Sequence, residues 1–260
     1  PEALLLTAVE AARAGGEVLR RGFSSAEPLQ VANKGKNDFV TRIDPEAEDA
    51  VVSLISGRHP SHALLPQESS AAPGVEGEWI IDPLDGTTNY IHRYPFFATS
   101  VAVRVAGEVV AGAVYDPMKD EMFAAAKGRG ATLNGAPVRV SSCAALADAL
   151  LVTGFPFRSM AKLPQFLASL EQLIRTSSGI RRDGSASLDC CYVACGRLDG
   201  FWECGLSAWD IAAGALLVEE AGGKVTDFDA GRGFLNSGDI VASPKAIHPA
   251  FLAEVQRAFH

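Results

Sequence analysis

Residues 3–22 carry Ala, Leu and Val at helical spacing and finish at Arg20-Arg21-Gly22, a basic last turn before a glycine, which predicts a first helix. Residues 37–44 read as a short extended piece leading into a second helix, with Asp44 at the N-cap and Pro45 at the first helical position. Residues 78–81 (Glu-Trp-Ile-Ile) read as an apolar strand. Residues 97–105 and 109–115 then alternate with period two around Ala106-Gly107-Glu108, the pattern of an antiparallel hairpin. Beyond residue 146 the pattern alternates between periods. Helices are predicted over 163–174, 185–194, 207–221 and 249–259, with extended pieces over 179–182, 199–202, 224–226 and 239–242. An antiparallel α+β first half (1–145) and an α/β second half (146–260) predict sheets layered between helices. Neither a repeat nor a low-complexity linker separates the halves, so one domain over 1–260 is expected.

At 260 residues and 48% hydrophobic content the chain can bury a large core. It has no run of about 18 apolar residues, which predicts no membrane span. Pro1 to Leu6 lacks a basic stretch and carries an early acid, so no secretory leader is expected. A net charge of −8 disfavours direct nucleic-acid binding by phosphate neutralisation, and an anionic substrate would need metal cations or a local basic patch. The five cysteines show no C-x-x-C spacing and fit a reducing, cytoplasmic setting. Cys191 and Cys195, four apart on a predicted helix, read as core thiols, with a soft-metal or redox role as the alternative.

The candidate chemistry is concentrated in Asp82-Pro83-Leu84-Asp85-Gly86-Thr87-Thr88-Asn89. Asp82 leaves an apolar strand, and Pro83 and Gly86 turn the chain. The segment from Gly86 then opens a helix, whose unpaired N–H groups attract a phosphate oxyanion. The alternative is an Asp-Pro, Asp-Gly surface turn. Two further acids stand at element ends. Glu68 follows the apolar run 63–65, and taken alone reads as a solvated strand end, as a strand-terminal glutamate is in most proteins. Asp210 lies at capping-box spacing from Ser207, which by itself accounts for an acid in a first helical turn. His59-x-x-His62 and the other histidines form no ligand pattern. Arg181-Arg182 reads as a phosphate attractor, a subunit contact or a solvated strand end.

Taken in order, Lys34 to Thr41, Glu68-Ser69, Asp82 to Asn89, Gly184-Ser185-Ala186, Trp209 to Gly214 and Glu220 to Gly223 resemble the inositol monophosphatase family along nearly the whole chain. The resemblance implies a layered α-β-α-β-α sandwich of the sugar phosphatase type, assembled as a homodimer. It implies that Glu68, Asp82, Asp85, Asp210 and the Leu84 carbonyl hold two or three Mg²⁺ ions, a hard cation that takes oxygen ligands. Asp44 and Thr87, with Glu68, would direct the attacking water. Gly86, Thr87 and Thr88 would hold the phosphate, while Gly184, Ser185, Ala186, Glu203 and Asp210 would face the polyol. The implied reaction is lithium-sensitive hydrolysis of a small phosphate monoester by direct in-line attack of activated water, with no covalent phosphoenzyme.

Three positions depart from the family pattern. Gln67 replaces a second glutamate, Asp183 adds a charge before Gly184, and residues 204–206 carry no substrate signature. Rival substrates within the superfamily are histidinol phosphate, fructose 1,6-bisphosphate and 3′-phosphoadenosine nucleotides. The Asp-x-Asp register of the haloacid dehalogenase class fails, because two residues separate Asp82 from Asp85. A reading from another class is a binding partner of the transcription machinery, as for some bacterial relatives.

Overall fold

The computed structural model describes residues 2–25, 31–35, 38–41, 43–65 and 76–259. In chain order the elements are α1 (Glu2–Ser24), β1 (Val31–Gly35), β2 (Asp38–Thr41), α2 (Ile43–Arg58), β3 (Ala63–Leu65), β4 (Glu78–Asp85), α3 (Thr87–Ile91), β5 (Ala98–Val105), β6 (Glu108–Asp116), β7 (Glu121–Ala126), β8 (Ala131–Leu133), β9 (Ala136–Val138), β10 (Leu150–Thr153), α4 (Leu163–Thr176), β11 (Gly179–Arg181), α5 (Ala186–Ala194), β12 (Gly200–Glu203), α6 (Ala208–Glu220), β13 (Gly223–Thr226), α7 (Phe234–Ser237), β14 (Ile240–Pro244) and α8 (His248–Phe259).

A large sheet has seven strands in the order β3-β4-β5-β6-β7-β8-β9, a smaller one has five in the order β11-β10-β12-β14-β13, and β1 pairs with β2. The large sheet is antiparallel except where β3 joins β4. The small sheet is mixed, with β10 parallel to β11 and β12, and β14 antiparallel to β12 and β13. Helices α1 and α2 cover one face of the large sheet, α5 and α6 fill the space between the sheets, and α4 with α8 covers the outer face of the small sheet. The layers therefore run α-β-α-β-α.

Burial on both faces explains why β4 is apolar without alternation: all of its residues from Glu78 to Asp85 are buried. Trp79 and Ile81 pack towards α1 and α2, whereas Ile80 packs into the central core with Ile211 and Ala212 of α6. The α6–sheet approach is close. A Cβ on Gly112 of β6 would lie 3.0 Å from the Ala213 Cα, so the glycine lets helix and strand meet.

One expectation is corrected at an element end. Helix α2 starts at Ile43, so Asp44 sits inside its first turn rather than at the N-cap. Pro45 is tolerated there because the first amides of a helix lack intrahelical partners. Strand β7 (Glu-Met-Phe-Ala-Ala-Ala) escaped the sequence pattern because its alanines have weak strand preference, and pairing with β6 sets its conformation.

Candidate active site

On a regular strand, residues three apart point to opposite faces. Asp82 and Asp85 nonetheless share one side, because the β4–β5 register shifts between them. Pro83, which has no N–H, occupies that bulge, and its carbonyl accepts a hydrogen bond from the Thr99 hydroxyl at 2.9 Å. The turn continues through Gly86, whose φ of 94° is a left-handed conformation that favours glycine. A Cβ there would also meet the Phe96 carbonyl oxygen at 3.0 Å.

The third carboxylate arrives from the central helices. Ser207 caps α6, and its N–H donates to the Asp210 Oδ2 at 2.7 Å. The capping box read from the sequence is thus real, and it aims Asp210 at the same cavity. Asp82, Asp85 and Asp210 each offer an oxygen within 4.8 Å of the others, and all three are buried. Asp85 is the most firmly held. Its Oδ2 accepts from Ser185 Oγ at 2.6 Å, Ser187 N at 2.8 Å and Ser187 Oγ at 2.6 Å. Leu84 N–H donates to Asp82 Oδ1 at 3.2 Å, and the Thr87 hydroxyl donates to the Leu84 carbonyl at 3.1 Å.

These carboxylates are short of positive charge. Burial, followed by the charges of Asp85 and Asp210, pushes the Asp82 carboxyl well above the usual range. Burial and Asp210 raise Asp85 to about 6, against the opposing effect of its serine donors. An all-oxygen, anionic and buried donor set fits a hard divalent cation, which would relieve that repulsion.

The carboxylates line a cavity of about 340 Å³ together with Gly86, Thr87, Thr88, Gly184, Ser185, Ala186 and Glu203. Glu203 ends β12, and burial followed by repulsion from Asp210 pushes its carboxyl up to about 8. Its seat depends on Gly154, where a Cβ would lie 2.2 Å from both carboxylate oxygens. Asn89 joins the two sides of the cavity. Its amide donates to the carbonyls of Phe96 at 2.7 Å and Asp183 at 2.8 Å, fixing the turn before Ser185.

The structure therefore gathers Asp82, Leu84, Asp85, Gly86, Thr87, Thr88, Gly184, Ser185, Ala186, Glu203 and Asp210 around one cavity. Asp44 is buried in α2 and is not among the lining residues. Glu68 and Gln67 lie outside the described residues. The Asp183 carboxyl is raised, chiefly by burial. Sequence reasoning did not single out Ser187, Gly154 or Arg158, since each is placed by long-range packing and belongs to no local motif. Arg158 donates through Nη1 to Asp210 Oδ2 at 2.7 Å.

The model of the inositol monophosphatase family matches residues 1–260. The chain is 44% identical over 255 residues to the Nus factor SuhB of Pasteurella multocida, covering 97% of this chain and 96% of that protein. It is 43% identical over 257 residues to an inositol-1-monophosphatase of Mesorhizobium japonicum, covering 98% and 97%. Among solved structures, the extragenic suppressor protein suhB of Bartonella henselae superposes with a TM-score of 0.93 at 39% identity, covering 98% of this chain and 99% of that one.

Proposed function

The chain belongs to the inositol monophosphatase family, and on that premise we propose that it is a Mg²⁺-dependent phosphatase releasing phosphate from inositol monophosphate or a similar polyol phosphate. The observation that carries this reading is the triad of buried carboxylates, mutually within 4.8 Å, on the wall of a cavity that also contains Glu203. Asp82, Asp85 and Asp210 would hold the cation, with the Leu84 carbonyl and Glu68 completing the set. Bound there, Mg²⁺ would supply Lewis acidity at the phosphate and lower the pKa of water.

The protein's own groups then have separable tasks. The serine donors on Asp85 fix one of its oxygens and leave the other for the cation. Thr87, anchored on the Leu84 carbonyl, has hydroxyl lone pairs that would orient water, with Asp44 assisting from α2. The first amides of the 86–88 turn would donate to the phosphate oxygens. Glu203 would hydrogen-bond a polyol hydroxyl beside Gly184 to Ala186, and a carboxyl near neutrality can serve as acceptor or donor there. The unit is read as one catalytic domain over 1–260, homodimeric and cytoplasmic. No described helix is long and apolar enough to cross a membrane.

A second reading is favoured by the relative named Nus factor SuhB: a role as a partner of the transcription machinery. With a net charge of −8, such a role would run through protein contacts and not through broad phosphate neutralisation.

Phosphate release from inositol 1-phosphate, histidinol phosphate, fructose 1,6-bisphosphate and 3′-phosphoadenosine 5′-phosphate, with Mg²⁺ or EDTA, tests the proposal. Expected is Mg²⁺-dependent turnover that favours inositol 1-phosphate and is inhibited by tens of millimolar Li⁺. Preference for another ester would transfer the site to that substrate, and no release from any would leave the partner reading.

A further inference from the structure

The carboxylate triad already touches a cation of the chain itself. Arg158 lies between β10 and α4, and its Nη1 meets the same Asp210 oxygen that accepts the Ser207 N–H. The Asp210 side chain is 5% exposed, whereas that of Arg158 is 47% exposed. The carboxylate is fixed by a helix cap, whereas the Arg158 side chain is long, partly exposed and free of any such cap, so a change of rotamer can take it off Asp210.

The segment that carries Arg158 is docked against the loop that leads into α6, the helix that carries Asp210. A Cβ on Gly205 would fall 2.3 Å from Ser159 Oγ, so the glycine makes room for that side chain. Lys162 Nζ reaches both Asp239 oxygens at 2.7 Å, and Asp239 Oδ1 accepts the Gly205 N–H at 3.1 Å. Arg158 is aimed at the cluster by this docking. Arg182 lines the same cavity, but it stacks over Phe155 and Phe157, with its guanidinium carbon 4.8 and 5.5 Å from their ring centres.

We propose that Arg158 is an exchangeable counter-cation, which neutralises the Asp210 end of the triad when no divalent ion is bound and leaves Asp210 when one binds. The proposal rests on reading the triad as the cation site. Its physical basis is that a guanidinium and a divalent ion repel each other and draw on the same carboxylates. Arg158 thus lowers divalent affinity by stabilising the metal-free state. By linkage, whatever stability Arg158 gives the metal-free protein is subtracted from cation binding.

The test is Mg²⁺ titration by calorimetry, together with melting in EDTA and in saturating Mg²⁺, for the wild type, Arg158→Met and Arg182→Met. For Arg158→Met, Mg²⁺ is expected to bind about tenfold or more tightly, the scale of a lost charge-assisted hydrogen bond. Its melting point should fall by a few degrees in EDTA and stay within about a degree of wild type when Mg²⁺-saturated. Arg182→Met makes the same change in charge within the cavity without a contact to the triad, and should shift affinity by less than about twofold.

Unchanged or weaker Mg²⁺ binding by Arg158→Met would overturn the exchange, as would an equal loss of melting temperature with and without Mg²⁺. Equal tightening by both variants would also overturn it, since a general field would then suffice. If neither the wild type nor the variants bind Mg²⁺, the cation-site reading itself fails, and the proposal with it.

Discussion

Replacing Asp85 by asparagine separates the needs of catalysis from those of folding. The Asp85 carboxyl is raised from 3.8 to about 6, chiefly by burial and then by Asp210. The sign follows directly: below 3.8 the group is neutral in both states and costs nothing, whereas above about 6 the fold must hold a charge that it disfavours. At pH 8 that cost is about 3 kcal/mol, from roughly two units at 1.36 kcal/mol each. The substituted amide would keep an oxygen for the Ser185 and Ser187 donors and turn its NH₂ towards the remaining carboxylates. Metal-free Asp85→Asn should therefore be more stable than wild type by about 3 kcal/mol at pH 8 and by about half that at pH 5. For a chain of this size the pH 8 difference is about 6 °C in melting temperature.

The same change should lower phosphate release more than about 10²-fold, because it removes a charge from the cation's donor set. Differential scanning fluorimetry in EDTA, paired with a phosphate-release assay in Mg²⁺, reads both effects. A variant that melts below wild type in EDTA at pH 8, or whose advantage is independent of pH, would refute the electrostatic reasoning. Near-normal turnover would refute the assignment of Asp85 to the cation.

Two other perturbations address different parts of the molecule. Gly154→Ala should displace the Glu203 carboxylate from its seat, raising KM for a polyol phosphate several-fold while changing kcat little; an unchanged KM would separate Glu203 from the polyol. His248 is fully buried between Ser243 Oγ (2.9 Å from Nδ1) and Thr226 Oγ1 (3.0 Å from Nε2). Burial, with a smaller effect from Lys224, lowers it from 6.5 to about 4. Its contribution is complete above pH 6.5 and is lost as pH falls towards 4, because the unfolded chain takes up the proton first. The wild type should lose about 2 kcal/mol more than His248→Asn between pH 7 and pH 5 in urea unfolding; parallel losses would show that this histidine is not responsible.

How much was legible in the sequence varied with the range of the determining interaction. Helices α1, α4, α6 and α8 announced themselves through periodicity and local end signals, and the β5–β6 pair through alternation. Asp82, Asp85 and the 86–88 turn were legible because they lie in one short segment. Asp210 was ambiguous between cap and ligand, and the structure shows the cap in place with the carboxylate at the cavity. Ser187 and Arg158 were not legible, since their partners lie 102 and 52 residues away. Gly154 was invisible for another reason: what matters there is an absent side chain, and only the position of Glu203 reveals it.

The hydrogen bonds from Ser185 and Ser187 to Asp85 have a consequence for assembly. They connect residues 100 and 102 positions apart, from opposite halves of the chain, through a strand end and a helix start. Contacts of that sequence separation close a long loop and carry its entropic cost. Neither half of the molecule on its own can therefore inherit the cavity's charge pattern. A fragment keeping only the large sheet would hold Asp82 and Asp85 without Asp210 or the serine donors, and one keeping only the small sheet would hold the donors with nothing to receive them. The site is a property of the joined chain, and a change that loosens the seam between the sheets reaches the chemistry without touching a single lining residue.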